Sequence, residues 1–314
     1  MLPCRFLKNW ALPRLSMSEA QYFGVIAVVG RPNVGKSSLM NRLLGEKVSI
    51  VSRRPQTTWR EITGIDTSAN VQLVFVDSPG MHKPKRQLLS KRANQSARGA
   101  GTGADILCMV TDCRYWTSDD QRVLEHFRKT QTPIWLLLNK VDLLASIDKV
   151  LPKIASVKGA HDWAQIIPVS AKTDYNCKHL LNMLRAAAPL GSAGYDAESL
   201  TTMPVSFLAA ELVREQIFRQ MGDEIPYVTG VEISRFEEID SGRVEIDVSI
   251  WCDTTGQKAA LIGSKGARLK NIGTAARRGL EKLLGKSVLL NQMVKVKKGW
   301  SDDSRSVTRL GYSD

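Results

Sequence analysis

The sequence predicts a larger α/β domain built on a mainly parallel sheet, followed by a smaller α+β domain, and three observations predict it. Short apolar runs (GVIAVVG, VQLVFVD, DILCMVTD, PIWLLLNK) alternate with helix-like stretches such as residues 36–44 and 119–129, the pattern of strands covered on both faces. Gly30–Ser37 follows the first run directly and opens a helix. Near residue 190 this rhythm gives way to alternating, strand-like runs. A chain of 314 residues has room for two such domains.

Hydrophobic residues make up 43% and charged residues 24%, which excludes disordered, collagen-like and disulfide-scaffold classes. With 44 Lys and Arg against 31 Asp and Glu the net charge is +13, a balance that attracts polyanions. Five cysteines without a CxxC pair indicate neither a disulfide framework nor a zinc site. No apolar run reaches the roughly 20 residues that cross a bilayer, so membrane association is expected to be peripheral. Residues 1–16 carry Arg5, Lys8 and Arg14 and no acid, the composition of an organellar transit peptide. Pro3 and Pro13 interrupt a long helix there, and Met17 offers an alternative start. Residues 1–19 are therefore read as an N-terminal extension.

Gly30, Arg31, Pro32, Asn33, Val34, Gly35, Lys36 and Ser37 stand where a phosphate-binding loop requires them, between strand and helix, with Ser38 next in line. Backbone N–H groups face the phosphates, Lys36 reaches the β/γ oxygens, and the Ser37 hydroxyl ligates Mg²⁺. Asp77, Ser78, Pro79 and Gly80 end the strand VQLVFV, where a carboxylate can hold the metal and the Gly80 amide can meet the γ-phosphate. Between them lies PQTT; Thr58 is favoured over Thr57 to complete the Mg²⁺ shell. Asn139, Lys140 and Asp142 end another buried run. The Asp142 carboxylate there accepts from both N–H donors of guanine, where adenine presents an acceptor. Ser170, Ala171 and Lys172 would supply an amide to the guanine O6. In this order the motifs specify a GTPase, with Lys36, Thr58 and Gly80 as candidate catalytic residues. Met81 after DSPG cannot orient a water, and His82 is either an activator or a loop histidine, so intrinsic hydrolysis should be slow. Gly99, Gly101 and Gly103 form no GxGxxG and read as a helix break.

Residues 191–204 are rich in Gly, Ser, Thr and Pro and read as a linker between 20–190 and 205–314. VSFLAAELVREQIFRQMG predicts a helix with Phe207, Leu208, Leu212, Ile217 and Phe218 on one apolar stripe and Gly222 as its stop. Two strands joined through Asp240, Ser241 and Gly242 follow, then a helix from Gln257, a helix from about Ala267 to Leu284 and a last strand, SVLLNQMVKVK. From Gly256 to Trp300 the only acid is Glu281 among many lysines and arginines, a surface suited to nucleic acid. Inside it, Gly263, Ser264, Lys265 and Gly266 form a GxxG between two helices, where backbone can approach phosphates closely. Lys258, Ile262, Arg268 and Lys270 flank it and complete the candidate RNA-binding set.

With GRPNVGKSS, PQTT, DSPGMH, NKVD and SAK in the first half, and FLAAELVREQIF, GDEIPY, IGSKGARLKNIG and VKVKKGWSDD in the second, the chain from about residue 20 resembles the Era family of ribosome-assembly GTPases. The resemblance implies a Ras-like P-loop G domain joined to a type II KH domain that binds the 3′ end of small-subunit rRNA. It further implies GTP/GDP and Mg²⁺ as ligands, K⁺ held by Asn33 as a further catalytic residue, and action on the small ribosomal subunit as a monomer. Some peripheral membrane contact is implied too, in the bacterial cytoplasm and at its inner membrane; the alternative setting is the mitochondrial matrix. Trp59, where the family usually has Arg, and the Gly99–Gly103 stretch depart from it and bear on switching. A competing class is a non-enzymatic RNA-binding factor whose G domain merely holds nucleotide; intact Lys36, Ser37, Asp77 and Asp142 favour the enzyme.

Overall fold

The computed structural model describes residues 22–52, 54–81, 88–222, 224–239 and 242–312. The N-terminal extension, His82, Asp240 and Ser241 lie outside the described residues.

The first domain runs β1 (Tyr22–Val29), α1 (Lys36–Leu44), β2 (Ile62–Ser68), β3 (Val71–Asp77), α2 (Leu88–Gly99), β4 (Ile106–Asp112), α3 (Ser118–Phe127), β5 (Ile134–Asn139), α4 (Val150–Lys158), β6 (Gln165–Pro168) and α5 (Cys177–Ala186). Its sheet has the order β2-β3-β1-β4-β5-β6, parallel except for the β2–β3 pair. Successive strand residues point to opposite faces, so β1 feeds two cores. Ile26 and Val28 join Leu39 and Leu180 on one face, while Ala27 and Val29 join Val123 and Val157 on the other. Both faces being covered explains the uninterrupted apolar runs. β1 lies between β3 and β4, where connections leave in opposite directions, and the crevice beyond its C-terminal end is where such sheets bind ligands. α2 ends at Gly99, as the glycine-rich stretch predicts.

Residues 191–204 contain no helix or strand, yet they are held on the first domain. The Gln72 side chain brackets them, accepting from the Gly194 and Tyr195 amides and donating to the Tyr195 carbonyl. Ile65 N donates to the Leu200 carbonyl at 2.8 Å, and Thr201 donates to the Thr63 carbonyl.

The second domain runs α6 (Val205–Gln220), β7 (Gly230–Glu238), β8 (Val244–Cys252), α7 (Thr255–Ile262), α8 (Ala267–Leu284), β9 (Val288–Val296) and α9 (Ser304–Arg309). Its sheet is β7-β8-β9, antiparallel then parallel. The expected single apolar stripe on α6 is a correction. Glu211, Arg214 and Glu215 are buried as well, because α6 is covered by its own domain on one side and by the segment around Trp59 on the other. Trp59 and Leu89 belong to the same apolar cluster as α6, β8 and α8. Trp59 packs on Phe218, Trp300 and Tyr312 with ring centroids 6.3, 6.3 and 5.3 Å away. The C-terminal residues also reach back: Arg60 donates to the Gly311 carbonyl at 2.7 Å, and the Leu88 amide to Asp302 at 2.9 Å.

Candidate functional site

The loop after β1 turns into α1 through Gly35 at φ 99°, and a Cβ there would stand 2.3 Å from the Asn139 side-chain nitrogen, so only glycine fits. α1 begins at Lys36, which puts its unpaired amides at the loop, a ready anion site. Lys36 is buried and its Nζ donates to the Gly30 and Arg31 carbonyls at 3.0 and 3.1 Å. Burial pushes this ammonium down to about 8, with Asp77 pulling it up and Arg31 adding to the depression.

Ser37 Oγ donates to Asp77 Oδ2 at 2.5 Å and lies 3.2 Å from Thr58 Oγ1. Ser49 Oγ also donates to Asp77 Oδ2, at 3.0 Å, while Asp77 Oδ1 is buried without a partner. Burial raises the Asp77 pKa against the pull of Lys36, Ser37 and Ser49. An orphaned carboxylate oxygen beside two hydroxyls is an oxygen-rich donor set of the kind a hard cation such as Mg²⁺ takes. Thr57, by contrast, turns its hydroxyl to the Arg54 carbonyl and to Ser52. Gly80 and Pro32 line the same cleft as Asn33, Lys36, Ser38 and Thr58. Ser78 Oγ is spent on the Val28 carbonyl, and Met81 packs against the apolar cluster under α3. Pro79 follows in the same loop, and Val34 is fully buried in the core cluster of Ile26, Val28 and Leu39. Arg31 Nε donates to both Asp120 carboxylate oxygens, at 3.1 and 2.9 Å.

At the other end Asn139 ties three segments together. Its Nδ2 donates to the Val34 carbonyl at 2.8 Å and its Oδ1 accepts from the Ala171 amide at 3.1 Å. Lys140, at φ 68°, donates to the Asn33 carbonyl and pairs with Asp112. Asp142 accepts from Ser170 Oγ at 2.6 Å, and Lys172 Nζ stands 3.8 Å from its other oxygen. All the predicted nucleotide motifs thus converge on one edge of the sheet.

The GxxG segment belongs to the other domain, where it joins α7 to α8. Thr254 and Gln257 form a capping box that starts α7. α7 stops at Gly263, φ 71°, where a Cβ would meet Arg268 Cβ at 2.7 Å. Ser264 and Lys265 are exposed, Lys265 and Gly266 also have positive φ, and Lys270 is exposed one helical turn on. Lys258 is half-buried, and Ile262 packs against the domain core. Arg268 donates to the Ala260 carbonyl at 2.7 Å, closing the end of α7.

Sequence reading missed Ser49, which shares Asp77 with Ser37, and Asn41, whose amide holds the Val48 and Ser49 backbone. It also missed α9, which Asp303 caps by accepting from the Ser306 amide at 3.0 Å. An isolated asparagine in a helix gives no local signal of such a role; Asp303 before Ser304 is a cap signal that was there to find. Among the described residues no group of three or more His, Cys, Asp or Glu side chains could hold a metal ion, no helix is long and apolar enough to cross a membrane, and Cys108, Cys113, Cys177 and Cys252 are buried free thiols.

Residues 25–140 match the family described as 50S ribosome-binding GTPase, and residues 224–301 match the KH domain family. The chain is 40% identical over 302 residues to GTPase Era of Histophilus somni strain 2336, covering 96% of this chain and 99% of that one. It is 42% identical over 292 residues to GTPase Era of Pseudomonas syringae pv. tomato, covering 93% and 97%. In structure it is similar to Era in complex with MgGDPNP and nucleotides 1506–1542 of 16S ribosomal RNA, with a TM-score of 0.90, 33% identity and coverage of 94% and 100%. A single-residue variant of Aquifex aeolicus Era bound to GDP·AlF4⁻ gives the same TM-score and identity with coverage of 93% and 100%.

Proposed function

The chain belongs to the Era family of GTPases, and on that footing we propose that it hydrolyses GTP at the β1 cleft while its KH domain holds the 3′ end of small-subunit rRNA during assembly of that subunit. The observation that carries the nucleotide half is the contact network of Lys36, Ser37, Asp77 and Thr58, with a buried ammonium and an orphaned carboxylate oxygen at its centre.

In this reading the amides at the start of α1 and the Lys36 ammonium hold the β- and γ-phosphates. Ser37, Thr58 and Asp77 would hold Mg²⁺, and the Gly80 amide would meet the γ-phosphate. Magnesium, when bound, offsets the charge that builds on the phosphate oxygens. Asp142 accepts from the guanine N–H donors, and the Ala171 amide meets O6. Asn139 serves by joining the phosphate loop to the base loop. Asn33 would hold K⁺, which would supply positive charge at the phosphates where Met81 has no group to orient a water. Gly30–Ser38, Asp77–Gly80, Asn139, Lys140, Asp142 and Ser170–Lys172 are the proposed nucleotide contacts.

Lys258, Ile262, Gly263, Ser264, Lys265, Gly266, Arg268 and Lys270 are proposed to grip RNA. The 16S rRNA fragment bound by an Era structure that matches over nearly the whole chain supports the small subunit as partner. The large-subunit wording attaches to a family matched by residues 25–140 alone, which leaves out the KH domain. Bacterial relatives support a bacterial cytoplasmic setting; a monomeric state and peripheral membrane contact rest on the resemblance alone. We take residues 20–190, 191–204 and 205–314 as G domain, linker and KH domain, α6 being the first helix past the linker. Crosslinking in the cells that make the chain, followed by sequencing of the attached RNA, tests the partner. Reads should pile up at the small-subunit 3′ end; an even spread over ribosomal RNA removes the assignment.

A further inference from the structure

Val51, Thr57 and Trp59 lie against α6. Glu215, fully buried, accepts from the Val51 amide at 3.1 Å and pairs with Lys47 and Arg219. Its neighbour Arg214, also fully buried, donates from Nη2 to the Thr57 carbonyl. Glu211 holds the Arg214 fork at 2.7 and 2.5 Å, and the guanidinium carbon sits 4.3 Å from the Trp59 ring centroid. Thr58, between those two contacts, turns its hydroxyl to Ser37 at 3.2 Å.

An arginine in this position is costly as a mere filler. Its charge is desolvated and its Nη1 has no hydrogen-bond partner, and apolar side chains of similar volume in place of both Arg214 and Glu211 would avoid that penalty. What the guanidinium adds is geometry: a planar fork fixed by Glu211 at one end, aimed at one carbonyl and lying on one ring.

We propose that Arg214 is a positioning residue for the switch threonine: from α6 it clamps the Thr57 carbonyl and the Trp59 ring on either side of Thr58, and so holds the Thr58 hydroxyl beside Ser37. This rests on the reading of Thr58 as a magnesium ligand. The closed switch is then a property of both domains, since one of its anchors comes from beyond the linker. Trp59 is the surface on which that anchor lies.

The test uses the full chain and measures dissociation of a fluorescent, non-hydrolysable GTP analogue and of labelled GDP across a Mg²⁺ series, for Arg214→Met, Thr58→Ala, the double variant and Arg214→Lys. Loss of one charged hydrogen bond corresponds to about tenfold or more, so Arg214→Met should lose the GTP analogue at least about tenfold faster at limiting Mg²⁺ while releasing GDP at the parent rate. The double variant should be no worse than Thr58→Ala, because residues acting through one another are not additive. Arg214→Lys keeps the charge without the fork and should fall between parent and Arg214→Met. If Thr58→Ala is impaired and Arg214→Met is not, or the two effects add, this proposal falls alone. If Thr58→Ala itself is silent, the magnesium reading of Thr58 falls and takes the proposal with it. Should Arg214→Met not fold, Arg214→Lys carries the test, and a lysine variant matching the parent overturns it.

Discussion

The Ser170 hydroxyl donates to the Asp142 carboxylate at 2.6 Å, which ties the SAK loop to the NKVD loop across 28 residues of sequence. One carboxylate oxygen is thereby oriented, and the group is only 10% exposed on its side chain. Asp142→Asn should weaken GTP binding at least about tenfold, as expected when a charged hydrogen-bond acceptor is lost. It should also improve binding of xanthosine triphosphate, whose base offers the exchanged pattern. Competition titrations with the two nucleotides read this directly, and full GTP affinity in the variant would show that Asp142 is not the base reader.

Potassium should stimulate hydrolysis. Asn33 sits at φ 63° in the cleft beside Lys36, and Met81 is packed into the apolar cluster away from it. Rates in KCl should exceed those in NaCl at equal ionic strength, and Asn33→Ala should remove the difference. Equal rates in the two salts, or an unaffected variant, would remove K⁺ from the site.

RNA affinity should fall steeply with salt, by roughly −0.7 in log–log slope for each phosphate contact on a single strand. Ser264 and Lys265 are exposed at the tip between α7 and α8, so Ser264→Asp with Lys265→Asp should leave folding and GTP binding intact. Binding should drop for a small-subunit 3′-end oligonucleotide and for a scrambled control alike, because phosphate contacts position a strand and base contacts select it. An anisotropy series with both oligonucleotides decides it; unchanged affinity would take the loop out of the RNA site.

Stability should decline in alkali through Tyr312. Burial holds this phenol well above its usual value of 10, with Arg214 pulling it down and Glu211, which accepts a hydrogen bond from its hydroxyl at 2.8 Å, pushing it up. Below pH 10 folded and unfolded chains both keep the proton. Above it only the unfolded chain releases it, so stability falls with rising pH, by up to about 1.4 kcal/mol per unit. Tyr312→Phe should cost about 1 kcal/mol near pH 8, and the gap to the parent should close between pH 10 and 11. A gap in urea midpoints that stays constant over that range would contradict the assignment.

The nucleotide motifs were legible because each is short and its geometry is set by local chemistry: a glycine before Lys36, a carboxylate at the end of β3, an acid after Asn139. α6 was misjudged for the opposite reason. Arg214 and Glu215 stand outside the expected apolar stripe, and nothing near them in sequence signals that their partners are Thr57 and Val51, 157 and 164 residues away. The same distance hid the purpose of Trp59, which stood out only as a departure. Choosing between Thr57 and Thr58 likewise needed the backbone, since both hydroxyls are identical in kind and only one points to Ser37.

The bonds from Leu200 and Thr201 to β2 carry a consequence for the stability of the sheet outside the intact chain. β2 is an outermost strand, and an uncovered outer strand offers its free amides and carbonyls to any other strand it meets. Leu200 and Thr201 occupy part of that rim. A first domain cut off after Ala187 would expose the Ile65 amide and the Thr63 carbonyl and should self-associate, whereas one cut after Met203 keeps its rim closed and should stay dispersed. The segment between the domains thus doubles as a guard against strand-to-strand aggregation.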